Sequence, residues 1–97
     1  MKVIYHRRIQ NDLSSALGFY KVEGGARLED RFFAEVEDTV ARVLRNPKGS
    51  HFIARGLRRS SLDTFPYHFL YEESDQLVRF LVLRHDKRHP SFGLRRR

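Results

Sequence analysis

The apolar periodicity of this chain changes once, near its middle, and that change constrains the fold more than any other feature. In the first half, Ile9, Leu13, Ala16, Leu17 and Tyr20 fall at offsets of 4, 7, 8 and 11, which is one face of an α-helix. Gly24-Gly25 interrupts the pattern. Leu28, Phe32, Val36, Val40, Val43 and Leu44 resume it, with Glu29, Asp30, Glu37, Asp38 and Arg42 on the other face. Asn46-Pro47 ends it, because proline cannot continue a helix and disfavours the α conformation in the residue before it. Two helices joined at a glycine pair predict an antiparallel helical hairpin.

After Gly49 the period falls to two. Leu57 to Leu62 is expected to be a strand, with Asp63-Thr64 as a turn. Tyr67, Phe69 and Tyr71 then alternate with His68, Leu70 and Glu72, a strand with one aromatic face. Glu73-Ser74-Asp75-Gln76 is expected to turn the chain into a hairpin. Leu77 to His85 is nearly all apolar, broken by Arg79 and Arg84, which suits a central strand covered on both faces. Val3-Ile4-Tyr5 adds a short strand ahead of the helices. The order β-α-α-β-β-β predicts an α+β fold, an antiparallel curled sheet with the helical hairpin packed on one face. At 97 residues it is a single domain, residues 1–97. The last segment, Asp86 to Arg97, is basic and irregular, and Arg95-Arg96-Arg97 is expected to be solvated and disordered.

Charge and cysteine content narrow the chemistry. The formal net charge of +7 favours a polyanionic or acidic partner. There is no cysteine, so disulfides, thiolate catalysis and cysteine-ligated zinc are excluded, in keeping with a cytoplasmic location. The first residues lack the apolar stretch of a signal peptide, and no segment is apolar enough to cross a bilayer, so no membrane association is expected. No P-loop, GxGxxG, Gly-x-Ser-x-Gly or His-Glu-x-x-His motif is present. His85, Asp86 and His89 are possible metal ligands, but His85 and His89 share a face only on a helix, which Pro90 opposes. Neither a metal nor a cofactor is expected.

The remaining candidate chemistry is a gathering of basic groups late in the chain. Arg58 and Arg59 follow Gly56; Arg84, His85, Lys87, Arg88 and His89 cluster at the end of the last strand. If the aromatic face of the Tyr67–Tyr71 strand packs on the helices, His68 points to the other side of the sheet. There it would join the late arginines on an open, positive surface. Such a surface has the parts for metal-independent RNA cleavage. Histidine moves protons near neutral pH, arginine matches phosphate in its fork geometry, and Phe92 supplies an aromatic for a base. His68, His85 and Arg88 are the candidate catalytic residues, and Arg59, Arg84, Lys87, His89 and Phe92 the candidate phosphate- and RNA-binding ones. The bland alternative for any one of them is a solvated strand or tail residue.

The order of short motifs resembles the RelE/ParE superfamily of type II toxin–antitoxin toxins. The pieces are Leu44-Arg45-Asn46-Pro47, Gly56-Leu57-Arg58-Arg59, Leu62, Phe65-Pro66-Tyr67-His68-Phe69-Leu70-Tyr71, and the strand running into Arg84-His85-Asp86-Lys87-Arg88. The resemblance implies a plasmid-stabilisation type of toxin that inhibits growth and is neutralised by a cognate antitoxin protein in a hetero-oligomer. The function expected first from it is a ribosome-dependent, metal-independent mRNA endonuclease, and the alternative is a DNA gyrase poison that acts by protein–protein binding without chemistry. A third possibility is an inactive relative kept as an interaction module. The nuclease members usually carry Arg where His68 stands, so charge stabilisation here would fall to Arg59, Arg84 or Arg88. The Phe-Pro-Tyr strand and the His85-x-x-Arg88 ending look as much like the gyrase-poison branch.

Overall fold

A computed structural model describes all 97 residues. The fold class is the expected α+β. β1 is Lys2–Tyr5, α1 is Ile9–Arg45, and four strands follow: β2 (Phe52–Ala54), β3 (Leu57–Ser61), β4 (Tyr67–Ser74) and β5 (Leu77–His85). A single 3-10 turn, Leu94–Arg96, comes last.

α1 is two arms. A straight helix of 37 residues would be about 55 Å long, whereas the longest dimension of the molecule is 40 Å. The break lies at Gly25, whose φ of 75° and ψ of −170° are not helical. A residue with a side chain is strained at such a φ, and glycine is not. The chain folds back there, so that the rings of Tyr20 and Phe32 lie 4.9 Å apart, and both reach Phe65. The arms, residues 9–24 and 26–45, form the hairpin that the glycine pair predicts.

The sheet order is β1-β5-β4-β3-β2. Its pairings are antiparallel except for β1, which runs parallel to β5 with Lys2 opposite Leu77. The sheet is therefore mixed, where an antiparallel one is the sequence expectation. The reason is parity. A chain that reverses at every connection gains one reversal from β2, a short strand that the periodicity does not reveal. That extra reversal turns β5 from antiparallel to parallel with β1. The β4–β5 turn is tighter than expected, with only Asp75-Gln76 between the strands and φ of 57° at Gln76.

Both faces of the sheet are covered. On the helical side, Tyr71, Phe69, Phe80, Val78 and Leu83 pack against Ala16, Tyr20, Phe32, Val36 and Val43. On the other side, Leu57, Leu70, Leu81 and Val82 form a second cluster under Phe92. β5 is thus covered on both faces, as its apolar run predicts. At about 1.5–3 kcal/mol per fully buried large side chain, the helical side supplies most of the apolar stabilisation. Polar ties set the loops. The Tyr71 hydroxyl donates to the Pro47 carbonyl at 2.7 Å. The Glu35 carboxylate accepts from the backbone N–H groups of Thr64 and Phe65 and from the Thr64 hydroxyl. Arg58 donates to the Ser50 carbonyl at 2.6 Å and to Glu73, and stacks 3.8 Å from the Phe52 ring. Its role is to hold the 48–52 segment rather than to meet a ligand.

Candidate functional site

β5 outruns β1. Pairing with β1 ends at Phe80, so the backbone of residues 81–85 on that side has no strand partner. Asp12, in the first turn of α1, fills the gap: its carboxylate accepts the Leu83 N–H at 3.1 Å. Arg96 then clamps Asp12 through Nη1 and Nη2, at 2.6 and 3.0 Å, and donates to the Leu81 carbonyl at 3.0 Å. This ion pair is nearly buried, with side-chain exposures of 11% and 6%. It orders the last residues of the sequence, which the composition alone marks as a solvated tail. Arg97 adds a longer pair to Glu72, at 3.3 Å.

His68 does point away from the helices, opposite Ser61 on β3 and Arg84 on β5. The ground there is not open. His68 is 1% exposed, beneath the segment that carries Pro90 and Phe92. Both ring nitrogens are engaged. Nδ1–H donates to the Asp86 carboxylate at 2.8 Å, and Nε2 accepts from Arg84 Nε–H at 2.9 Å. An acceptor at Nε2 requires the ring to be neutral. Burial, first, and the charges of Arg59 and Arg84 hold its pKa below the ordinary 6.5, against the raising effect of Asp86. Arg84 is 7% exposed, and its Nη1 donates to the carbonyls of Pro90 and Phe92 at 2.8 and 2.9 Å. Arg59 completes the cluster with a 3.3 Å contact to Asp86. The His68–Asp86–Arg84–Arg59 network is therefore a clasp that fastens the last segment across the sheet.

The other expected site residues lie elsewhere. His85 faces the helical side, its ring edge-on to Tyr67 at 5.2 Å. Its Nδ1 accepts the Lys87 N–H at 3.0 Å, so the neutral ring carries its proton on Nε2. Arg88 is exposed and stacks 4.0 Å over the Phe92 ring. Lys87 and His89 are exposed, and His89 Nδ1 accepts from Ser91 in a local turn. The structure thus separates the expected set. His85, Arg88, Phe92 and one side of Arg84 line a groove of about 530 Å³ against the first arm of α1, while His68 and Arg59 do not reach it. Arg8, Asn11, Asp12 and Phe19 complete the groove from the first arm. Nothing in the sequence marks these four, because they lie some 70 residues from β5 and sit at the start of a plain helical pattern.

A second groove, of about 640 Å³, is mainly apolar. It runs between β1 and both arms of α1, with Tyr5, Leu13, Phe33, Val40 and Leu44 among its walls and His6 and Arg7 at its rim. Tyr5 and Phe33 are 50% and 40% exposed, so the groove presents uncovered aromatic surface. No cluster of three or more His, Cys, Asp or Glu side chains is arranged to hold a metal ion, and no helix is long and apolar enough to cross a membrane.

No family model and no curated protein sequence matches this chain. A solved structure does. One chain of the "Chromosomal ParDE TA system from P. aeruginosa" superposes with a TM-score of 0.77 over 88% of this chain and 95% of that one, at 16% identity. The fold is RelE/ParE-like. A RelE/ParE-like fold carrying the present side chains differs from the sequence expectation in one respect that matters for function. Its histidine on β4 is built into the interior, and the cationic groove has formed at the free edge of β5 instead.

Proposed function

We propose that this chain is the toxin of a toxin–antitoxin pair, and that it acts by binding a protein target, DNA gyrase, rather than by cutting RNA. The toxin assignment is supported by near-complete structural correspondence with a chain from a ParDE system. The choice of mechanism rests on the enclosure of His68. A general acid or base must reach the proton it transfers, and His68 is sealed, with both nitrogens committed to Asp86 and Arg84.

The antitoxin is the partner of the apolar groove. An amphipathic segment with acidic flanks would cover Tyr5 and Phe33 with its apolar side and meet His6, Arg7 and the +7 charge of the chain with its acidic side. Co-expression with the neighbouring gene is expected to yield a stable complex that protects this groove from hydrogen exchange. The mechanism is tested by adding the purified chain to DNA gyrase in a supercoiling assay. Inhibition with trapped, cleaved DNA is the expected outcome; unimpaired supercoiling at saturating chain would remove the reading.

A second reading, a ribosome-dependent mRNA endonuclease, is favoured by one observation. His85 presents Nε2–H beside Tyr67, Arg84 and Arg88 in the cationic groove. In that reading His85 transfers the proton and Arg84 and Arg88 hold the phosphate. His68 and Arg59 then act only by fastening the last segment, and Lys87, His89 and Phe92 flank the strand being cut. Loss of mRNA cleavage in His85→Ala, with retained antitoxin binding, is what this reading requires.

A further inference from the structure

Residues 86–97 cross the face of the sheet turned away from the helices. Phe92 lies there on Leu57, Leu70, Leu81 and Val82, and Gly93 sits too close to the Val82 side chain for a β-carbon to fit. Two latches hold this strap. The far latch is Arg96, fixed on Asp12 and the Leu81 carbonyl. The near latch is Arg84, whose Nη1 holds the carbonyls of Pro90 and Phe92. Arg84 is aimed in turn by His68, because its Nε–H donates to the bare Nε2 of that ring at 2.9 Å. That bond exists only while the ring is neutral. A proton on Nε2 sets N–H against N–H and cation against cation, with almost no water to screen them. The charged groups around the ring are Arg84 on β5, Arg59 on β3 and Asp86 at the root of the strap. The arms of α1 pack on the opposite face of the sheet. Asp86 offsets one positive charge but is shared with Arg59, and its own N–H is tied to the Pro66 carbonyl at 2.8 Å. Beyond Asp86 the strap has no acidic residue; Lys87, Arg88, Arg95, Arg96 and Arg97 are all cations.

We infer that residues 88–95 are an acid-released strap: a proton on His68 unlatches Arg84, and the segment bows out between a hinge at Asp86-Lys87 and the anchor at Arg96, baring the apolar face of β3, β4 and β5. The direction follows from the closed form. Burial first, and then Arg59 and Arg84, hold the His68 pKa below 6.5 there, against the pull of Asp86. Once the strap lifts, the ring meets water and regains its ordinary proton affinity. The open form therefore takes up the proton first. The strap is closed above pH 6.5, and below it the opening equilibrium rises by at most about tenfold per pH unit. The core on the helical side contains no strap residue and stays packed. The Arg96–Asp12 latch does not involve His68, so the strap closes again when the pH is restored. Arg88 and Phe92 ride on the moving segment, so its lifting also opens one wall of the cationic groove. The device goes beyond the proposed function and stands whether or not gyrase is the target.

The test is amide hydrogen exchange on the full chain between pH 7.5 and 5.5, corrected for the intrinsic exchange rate. The Phe92 and Leu94 N–H groups, bonded to the His89 and Ser91 carbonyls, report the strap. Their protection is expected to fall by about fivefold to tenfold over this range, while β4 and β5 keep theirs. The chain has no tryptophan, so Phe92→Trp adds a single fluorophore over the apolar cluster, and its emission should move to the red with the same midpoint and recover at pH 7.5. His68→Asn should show no pH response at these amides. His6→Gln/His51→Gln/His85→Gln/His89→Gln, which leaves His68 as the one histidine, should respond like wild type. A response that survives in His68→Asn, or is lost in the fourfold variant, would overturn the inference. So would strap and β4 amides losing protection together, which is global unfolding rather than an opening strap. Wild type provides the check that needs no variant to fold: by NMR, the His68 ring and the strap amides must titrate with one midpoint, and separate midpoints would remove the switch.

Discussion

Replacing His68 with alanine separates a structural histidine from a catalytic one. The ring is 1% exposed and bridges Asp86 and Arg84. Its removal leaves Arg84 Nε–H without a partner in the interior, at about 1–3 kcal/mol for a stranded buried polar group. It also opens a ring-sized void beneath the 90–92 segment, adding about 2 kcal/mol for lost packing. Together the loss is about 3–5 kcal/mol, a large part of the 5–15 kcal/mol typical of a domain. For a domain of this size about 4 kcal/mol lowers the melting temperature by roughly 20 °C. Thermal melting by circular dichroism reads this directly. His68→Asn, which keeps a donor and an acceptor on a shorter side chain, should lose roughly half as much. If His68→Ala melts within a few degrees of wild type, the clasp is not structural, and the case against His68 as an acid or base falls with it.

Three further outcomes follow from the same contacts. Asp12→Asn leaves Arg96 as a nearly buried charge without a counter-ion, and should cost about 3 kcal/mol in denaturant unfolding, whereas Asp12→Leu/Arg96→Met should recover part of the loss. Acidification should destabilise the fold. The His68 pKa lies below 6.5 in the folded state, so the unfolded chain binds the extra proton first, and stability is lost as pH falls below about 6.5, by up to about 1.4 kcal/mol per pH unit. His6 is lowered as well, by burial and then by Arg96, Arg7 and Arg8, so the His68→Asn variant should retain only its share of that slope. Gly93→Ala forces a β-carbon against the Val82 side chain at a φ of +83°, and amide exchange should show the 94–97 segment losing protection while β4 and β5 keep theirs.

Much of this fold is legible in the sequence because its long elements repeat. The two arms, the glycine break, the Asn46-Pro47 stop and the aromatic face of β4 all follow from spacing. β2 does not, because Phe52, Ile53 and Ala54 are all exposed on an edge and show no alternation. Missing it hides the parity that makes β1 and β5 parallel. The order of the last residues is hidden for another reason: Arg96 is fixed by Asp12, 84 positions earlier, and no local pattern reports a pairing across that distance. The enclosure of His68 has a faint signal. Leu70 stands two residues on, on the same face of β4, and Val82 opposes it on β5; apolar residues there call for a cover, which Phe92 supplies. Half of the cationic groove is legible as the late cluster of Arg84, His85, Arg88 and Phe92; the other half, Arg8, Asn11, Asp12 and Phe19, is not, since the groove arises only where the first helical turn meets the free end of β5.

We propose, then, a chain of RelE/ParE-like fold that works as a toxin by binding, with its β4 histidine built into the structure. Inducing the chain in growing cells, then mapping mRNA 5′ ends and gyrase-linked DNA breaks in the same culture, measures this most directly. The expected result is growth arrest with gyrase-linked breaks and mRNA ends like those of the uninduced culture. New mRNA ends inside translated frames, without gyrase-linked breaks, would contradict it.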